Sequence, residues 1–201
     1  MFRTIDFFIC ELYNYLQSKA NNGLHRRNEM DFIELSKNRY SVRNFSDRQV
    51  EDEKLQMILE AGRLAPTAVN AQPQRIFVLK SKEAIEKIRS VTKMAYNAPI
   101  VLLVCYDKNI SWKAMHYGDD YDAGDMDASI VTTCMMMQAT QLGVGTLWAR
   151  AFSSELVSKA FSLPENIVPV CLLDIGYPSD DCVPSERHSS RFLIEQTVKE
   201  L

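Results

Sequence analysis

At 201 residues, with 46% hydrophobic and 24% charged content, the chain is long enough to bury one sizeable core and too apolar to remain disordered. Its formal net charge of −3 argues against a nucleic-acid footprint, which needs a clustered basic surface. The longest apolar stretch, residues 130–142, is too short and too interrupted by Thr and Gln to cross a membrane. Five cysteines (Cys10, Cys105, Cys134, Cys171 and Cys182) make an odd set without a CxxC pair, and Cys105 and Cys171 sit in apolar runs. Buried free thiols in a reducing cytoplasm fit this usage.

Along the chain, Ile5, Phe8, Ile9, Leu12, Tyr13 and Leu16 recur at helical spacing and predict an amphipathic helix over residues 4–19. Asp6 and Glu11 interrupt its apolar stripe, which disfavours a secretory signal or a transit peptide. Polar residues up to 29 read as a linker. A short helix follows over 31–38. A second, over 50–64, places Leu55, Ile58, Leu59 and Gly62 inward, opens on Glu51, Asp52 and Glu53, and is ended by Pro66. Residues 76–79 and 100–106 are β-branched apolar runs and predict buried strands, with a helix over 82–92 capped by Ser81 between them.

Residues 111–127 alternate aromatics with five aspartates, but the glycine and terminal glutamate of a calcium loop are missing at the required offsets, so no metal site is expected. Over 126–142 the pattern predicts a helix apolar nearly all round, with Met135, Met136 and Met137 at its centre. It must be buried inside the domain or against a second subunit. Gly143 and Gly145 close it. A strand over 146–150, a helix over 154–161 stopped by Pro164, a strand over 167–175 and an extended tail complete the chain. The interleaving indicates an α+β or three-layer domain.

The first candidate site lies at Arg39-Tyr40-Ser41-Val42-Arg43, where two guanidiniums and a hydroxyl fall within five residues ahead of a helix. Guanidinium forks suit paired, fixed hydrogen bonds to phosphate oxygens, so the stretch outlines an anion pocket against an acidic background. Three further segments follow in order: Ala65-Pro66-Thr67-Ala68-Val69-Asn70-Ala71-Gln72-Pro73, Gly143-Val144-Gly145-Thr146-Leu147-Trp148, and Ser189-Ser190-Arg191-Phe192-Leu193. Together the four segments resemble the nitroreductase family of flavin enzymes, over roughly residue 30 to the C-terminus. The ordered set is far more specific than any one piece.

The resemblance implies an α+β, three-layer α/β/α fold with a central, mainly antiparallel sheet flanked by helices. It implies a homodimer with FMN at the subunit interface, C-terminal tails crossing to the partner, and NAD(P)H as co-substrate. It makes residues 30–201 the FMN-binding domain and residues 1–29 an extension the fold does not require. Residue by residue, Arg39, Tyr40, Ser41 and Arg43 match the family's phosphate and ribityl segment, and Arg191 completes the clamp. Tyr40 stands where relatives often carry Arg or His. Pro66, Thr67, Ala68, Asn70 and Gln72 match the APSxxNxQPW loop along the flavin, with Thr67 for the usual Ser and Gln74 for the usual Trp. Trp148, Ala149 and Arg150 open the segment whose backbone faces the isoalloxazine. Arg150 departs from the small residues common there, and either stabilises reduced flavin near N1 or points to solvent or another phosphate.

His25, His116 and His188 are scattered, without a paired Asp or Ser, so no nucleophile or general acid is expected. That fits an enzyme whose flavin N5 carries the hydride. Trp112, His116 and Tyr117 are either an acceptor-shaping lid or core and dimer packing. The expected activity is reduction of small flat electrophiles (nitroaromatics, quinones or enones) by ping-pong kinetics, in the cytoplasm and without a nucleic-acid or membrane partner. The rivals are an FMN-dependent dehalogenase or flavin-processing relative, and a flavin-binding protein without turnover.

Overall fold

The computed structural model describes residues 31–114 and 120–201. The helix expected over 4–19 and the linker after it lie outside the described residues, as do His25, His116 and Tyr117. Elements run α1 (Phe32–Asn38), α2 (Asp52–Arg63), β1 (Gln74–Leu79), α3 (Lys82–Val91), β2 (Ile100–Asp107), α4 (Gly124–Gln141), β3 (Gly145–Ala149), α5 (Ser154–Phe161), β4 (Ile167–Gly176) and α6 (Ile194–Thr197). Single 3₁₀ turns occupy Ala68–Asn70 and Glu186–His188.

The four strands form one sheet in the order β1-β2-β4-β3, and every pairing is antiparallel. β2 and β4 are central and buried on both faces, which is why they read as continuous apolar runs rather than alternating ones. Their register slips by one residue between Val104 and Cys105, opposite Pro169. Proline cannot donate to the ladder, and a bulge is where a sheet interior tolerates it.

Each sheet face carries its own core. On one, Leu55 and Ile58 of α2 and Val131, Met135 and Ala139 of α4 pack on Leu102, Val104, Leu173 and Ile175. On the other, Ile85 and Ile88 of α3 and Val157 of α5 pack with Val42 and Phe45 on Val101, Leu103, Cys105 and Leu172. The expected three-layer α/β/α arrangement around an antiparallel sheet is therefore present.

Helix ends follow local chemistry. The Ser81 side chain accepts the Ala84 N–H at 3.2 Å, and Ser153 accepts that of Leu156 at 3.3 Å. Gly143, at φ 72°, terminates α4 in the left-handed conformation that leaves the Val144 N–H bonded to the Ala139 carbonyl at 2.9 Å.

α4 buries Val131, Thr132, Met135 and Ala139 inside the domain, with Ile130, Cys134 and Met136 partly buried against the same core, and leaves Met126 56% exposed. One expectation is corrected. The C-terminal tail, expected as extended, contains the Glu186–His188 turn and α6, where the Gln196 side chain accepts the Leu193 N–H at 2.9 Å.

Candidate functional site

The phosphate-type segment is placed by its apolar neighbours. Leu35 anchors α1, and the Arg39 N–H continues the helical turn to the Leu35 carbonyl at 3.0 Å. Ser41 then bridges Thr146 in parallel, and the Val42 N–H donates to the Thr146 carbonyl at 2.9 Å. Val42 and Phe45 are buried, and Asn97 clamps the Phe45 backbone through bonds of 2.9 and 2.7 Å. With Val42 turned inward, its neighbours Ser41 and Arg43 are left outward along the extended backbone.

The far end of the chain returns to the same place. After β4, the Ser179 N–H donates to the Asn44 carbonyl at 3.1 Å, and the following segment lies opposite Tyr40. His188 meets the Tyr40 ring edge-on, centroids 6.2 Å apart. The Arg191 guanidinium is steadied by the Ser190 carbonyl at 2.7 Å and the Arg187 carbonyl at 3.3 Å.

Between these walls lies a cleft of about 450 Å³, lined by Arg39, Tyr40, Ser41 and Arg43 on one side and by Ser185, Arg187, His188 and Arg191 on the other. No carboxylate lines it. Burial first, and the charge of Arg191 second, lower the pKa of Arg39 below the usual guanidinium range. Cations gathered without a counter-charge in the lining form a receptor for an anion with several acceptor oxygens, and a phosphate monoester fits that donor set. Burial, with Cys182 beside it, raises the Tyr40 hydroxyl, so Tyr40 remains a neutral hydrogen-bonding group at physiological pH.

Of the sequence-nominated residues, the structure brings Arg39, Tyr40, Ser41, Arg43 and Arg191 to this cleft. Pro66, Thr67, Ala68, Asn70 and Gln72 lie apart from its lining, in the loop between α2 and β1. That loop is unusual: Val69, Asn70 and Gln72 all have positive φ, at 48°, 56° and 50°. Asn tolerates the left-handed region, but a β-branched residue there is strained. Thr67 accepts the Gln72 N–H on its hydroxyl at 3.0 Å, and Asp127 of α4 accepts the Ala68 N–H at 2.8 Å.

Trp148 and Ala149 end β3, with Trp148 partly exposed and Ala149 buried. Arg150 follows, its guanidinium 4.9 Å from the Phe152 ring centroid and within 3.3–3.4 Å of the Ser154 hydroxyl and Phe152 carbonyl. Trp112 flanks a small excursion in which Lys113 pairs with Asp122 at 2.6 Å, and its carbonyl accepts the Ala123 N–H.

Sequence reasoning missed Ser185, Arg187, His188 and Asp127. The first three stand close before Arg191, so their one legible signal was two further basic side chains beside the clamp residue. Asp127 was read as one of several aspartates in a segment with no motif.

Comparison with known proteins bears on the family and the fold. The family model described as "Nitroreductase family" matches residues 36–97 and 91–177. A crystal structure of a nitroreductase family protein from Clostridium difficile 630 is 42% identical, with a TM-score of 0.78 over 85% of this chain and 98% of that one. The Bacillus subtilis FMN reductase that uses NAD(P)H is 29% identical over 157 residues, 70% of this chain and 63% of the relative. An Exiguobacterium sibiricum protein solved in complex with FMN shares the fold at 24% identity, with a TM-score of 0.70 over 85% of this chain and 97% of its own.

Proposed function

Starting from a chain that belongs to the nitroreductase family, we propose that this protein is an FMN-dependent oxidoreductase that uses NAD(P)H to reduce small, flat electrophiles such as nitroaromatics, quinones or enones. The observation that carries the reading is the cleft in which Arg39, Ser41 and Arg43 face Arg191, a cationic site with no carboxylate in its lining. The Bacillus subtilis relative, an FMN reductase that uses NAD(P)H, supports the choice of cofactor and donor.

Arg39, Arg43 and Arg191 hold the FMN phosphate by charge-assisted bonds, and the Ser41 hydroxyl adds a donor between them. Tyr40 packs beside it. Pro66, Thr67, Ala68, Asn70 and Gln72 shape the loop that lies along the flavin, where the Asn70 and Gln72 amides offer donors and acceptors to a ring edge. Backbone amides around Trp148, Ala149 and Arg150 face the ring. When bound, FMN would supply the redox chemistry between reduced nicotinamide and the acceptor, and ping-pong kinetics would follow. The chain itself binds, orients and shields.

A second copy of the chain completes the site in this reading. Phe192, Leu193, Ile194 and Val198 of the tail, and Met126 of α4, are exposed apolar side chains of the kind a subunit interface covers. Trp112 is a candidate for the lid that shapes acceptor choice. Free thiols at Cys105 and Cys171 fit a reducing, cytoplasmic setting.

Purified protein should show a flavin spectrum that NADH or NADPH bleaches without oxygen and a nitroaromatic or quinone restores. A colourless protein with no affinity for added FMN refutes the reading. Flavin that neither nucleotide bleaches leaves a binding protein without turnover, and restoration by halogenated aromatics alone favours a dehalogenase.

A further inference from the structure

We infer that Asp127 is the positioning residue of the candidate flavin loop: its buried carboxylate fixes the backbone of residues 67–72, left-handed at Val69, Asn70 and Gln72, in the shape that accepts the flavin. The inference rests on the function proposed above for that loop.

Three non-glycine residues at positive φ within four positions do not persist unless their surroundings impose them. Bonds within the loop close its turn: Asn70 N–H to the Thr67 carbonyl, Ala71 N–H to the Ala68 carbonyl, each at 2.9 Å, and Gln72 N–H to the Thr67 hydroxyl. They set its local curl but not its place on the fold. Asp127, from the first turn of α4, supplies a tie from outside by accepting the Ala68 N–H on Oδ1 at 2.8 Å. Ala68 immediately precedes the strained Val69, so this bond acts where the backbone turns left-handed.

The cost of placing Asp127 there argues that it has a task. The residue is 2% exposed, and Oδ2 is buried without a hydrogen-bond partner among the described residues. Helix α4 does not need this carboxylate for its dipole, since Asp125 carries the same charge in the same turn at the surface. An uncompensated buried carboxylate oxygen is destabilising, and a neutral residue would avoid it. The bond to Ala68 is the return visible in the structure.

The test compares D127A and D127N with the wild type, reading FMN dissociation constants from flavin fluorescence and exchange of the Ala68 amide in flavin-free protein. Asn keeps an acceptor oxygen at Oδ1, so D127N should bind FMN within about threefold of wild type. D127A should weaken FMN at least tenfold and speed Ala68 exchange by a similar factor. Loss of FMN affinity in D127N as large as in D127A overturns the inference. So does an unchanged Ala68 exchange rate or FMN affinity in a folded D127A. If wild type binds no FMN, the proposed function fails on its own, while Ala68 exchange in the two variants still decides whether Asp127 holds the loop.

Discussion

Arg39 and Arg191 come from opposite ends of the described chain to line one cleft, where the charge of Arg191 adds to burial in lowering the pKa of Arg39. Two like charges held together destabilise the empty site and stabilise one filled by a dianion, so the two states should respond oppositely to removal of a charge. Replacing Arg39 or Arg191 by Ala should weaken FMN retention by about 1.5–3 kcal/mol each, the range for hydrogen bonds to charged groups. The flavin-free R191A protein should melt no lower than flavin-free wild type. Riboflavin, which lacks the phosphate, should bind both proteins alike. Fluorescence titrations with both flavins and melting curves with and without FMN check all three outcomes.

Asp174 gives the clearest pH dependence. It sits in β4 with both carboxylate oxygens buried and without hydrogen-bond partners among the described residues. Burial pushes its pKa up to about 8, opposed in part by the Arg89 charge. The folded protein thus keeps this proton where the unfolded chain, near the ordinary 3.8, has released it. Stability from this group is full below the unfolded value and falls as pH rises toward 8. Asp174→Asn should raise stability at pH 7 by on the order of a few kcal/mol, and the gain should shrink toward pH 5. Melting temperatures of both proteins across pH 5–8 test this, and a constant difference would contradict it.

Thiol chemistry should divide the cysteines. Burial pushes Cys105 up to about 12, and Cys171 up to about 11 despite the Thr132 hydroxyl beside it. Cys134 and Cys182 are only half-buried. Alkylation of native protein at pH 8, mapped by mass spectrometry, should label Cys134 and Cys182 first. Cys105 and Cys171 should lag by on the order of a thousandfold or more until denaturant is added, because the thiolate is the reacting form.

Residues 1–29 can be tested by removal. A protein starting at Met30 should remain soluble and retain FMN, since the family model matches from residue 36 and, among the described residues, both cores are built from Val42 onward. A melting temperature within a few degrees of full length, with equal flavin content, is the expected result. Loss of either shows that the extension belongs to the folded unit.

Much of the fold was legible because its elements announce themselves locally. Ser81 caps, Gly143 stops, and β2 and β4 are apolar runs too short for buried helices. Convergence of Arg39 with Arg191 was not a local property; it came from resemblance, and the packing of residues 179–191 against residues 40–44 brings the two together. The strain at Val69 was hidden because nothing in a valine advertises positive φ. Asp127 was hidden because its partner is a backbone amide 59 positions away, which leaves no side-chain pattern to read.

Gly145 links the sheet to the cleft and offers a structural test of that link. A Cβ built there would come 2.7 Å from Val42 Cγ2 and 3.1 Å from the Gly176 carbonyl oxygen. Val42 is buried and stiff at χ1, and Gly176 is paired with Gly145 in the ladder, so neither neighbour yields easily. Gly145→Ala should therefore displace Val42 and strain the bridge that places Ser41 and Arg43, at a cost of about 1–3 kcal/mol in stability, typical of overpacking. FMN should weaken more than riboflavin, because the displaced segment carries the phosphate donors. Val42→Ala in the same protein should recover part of the loss by opening room for the new methyl. Equal weakening of both flavins in Gly145→Ala, without recovery in the double variant, would mean that the first strand residue of β3 does not position the cationic cleft.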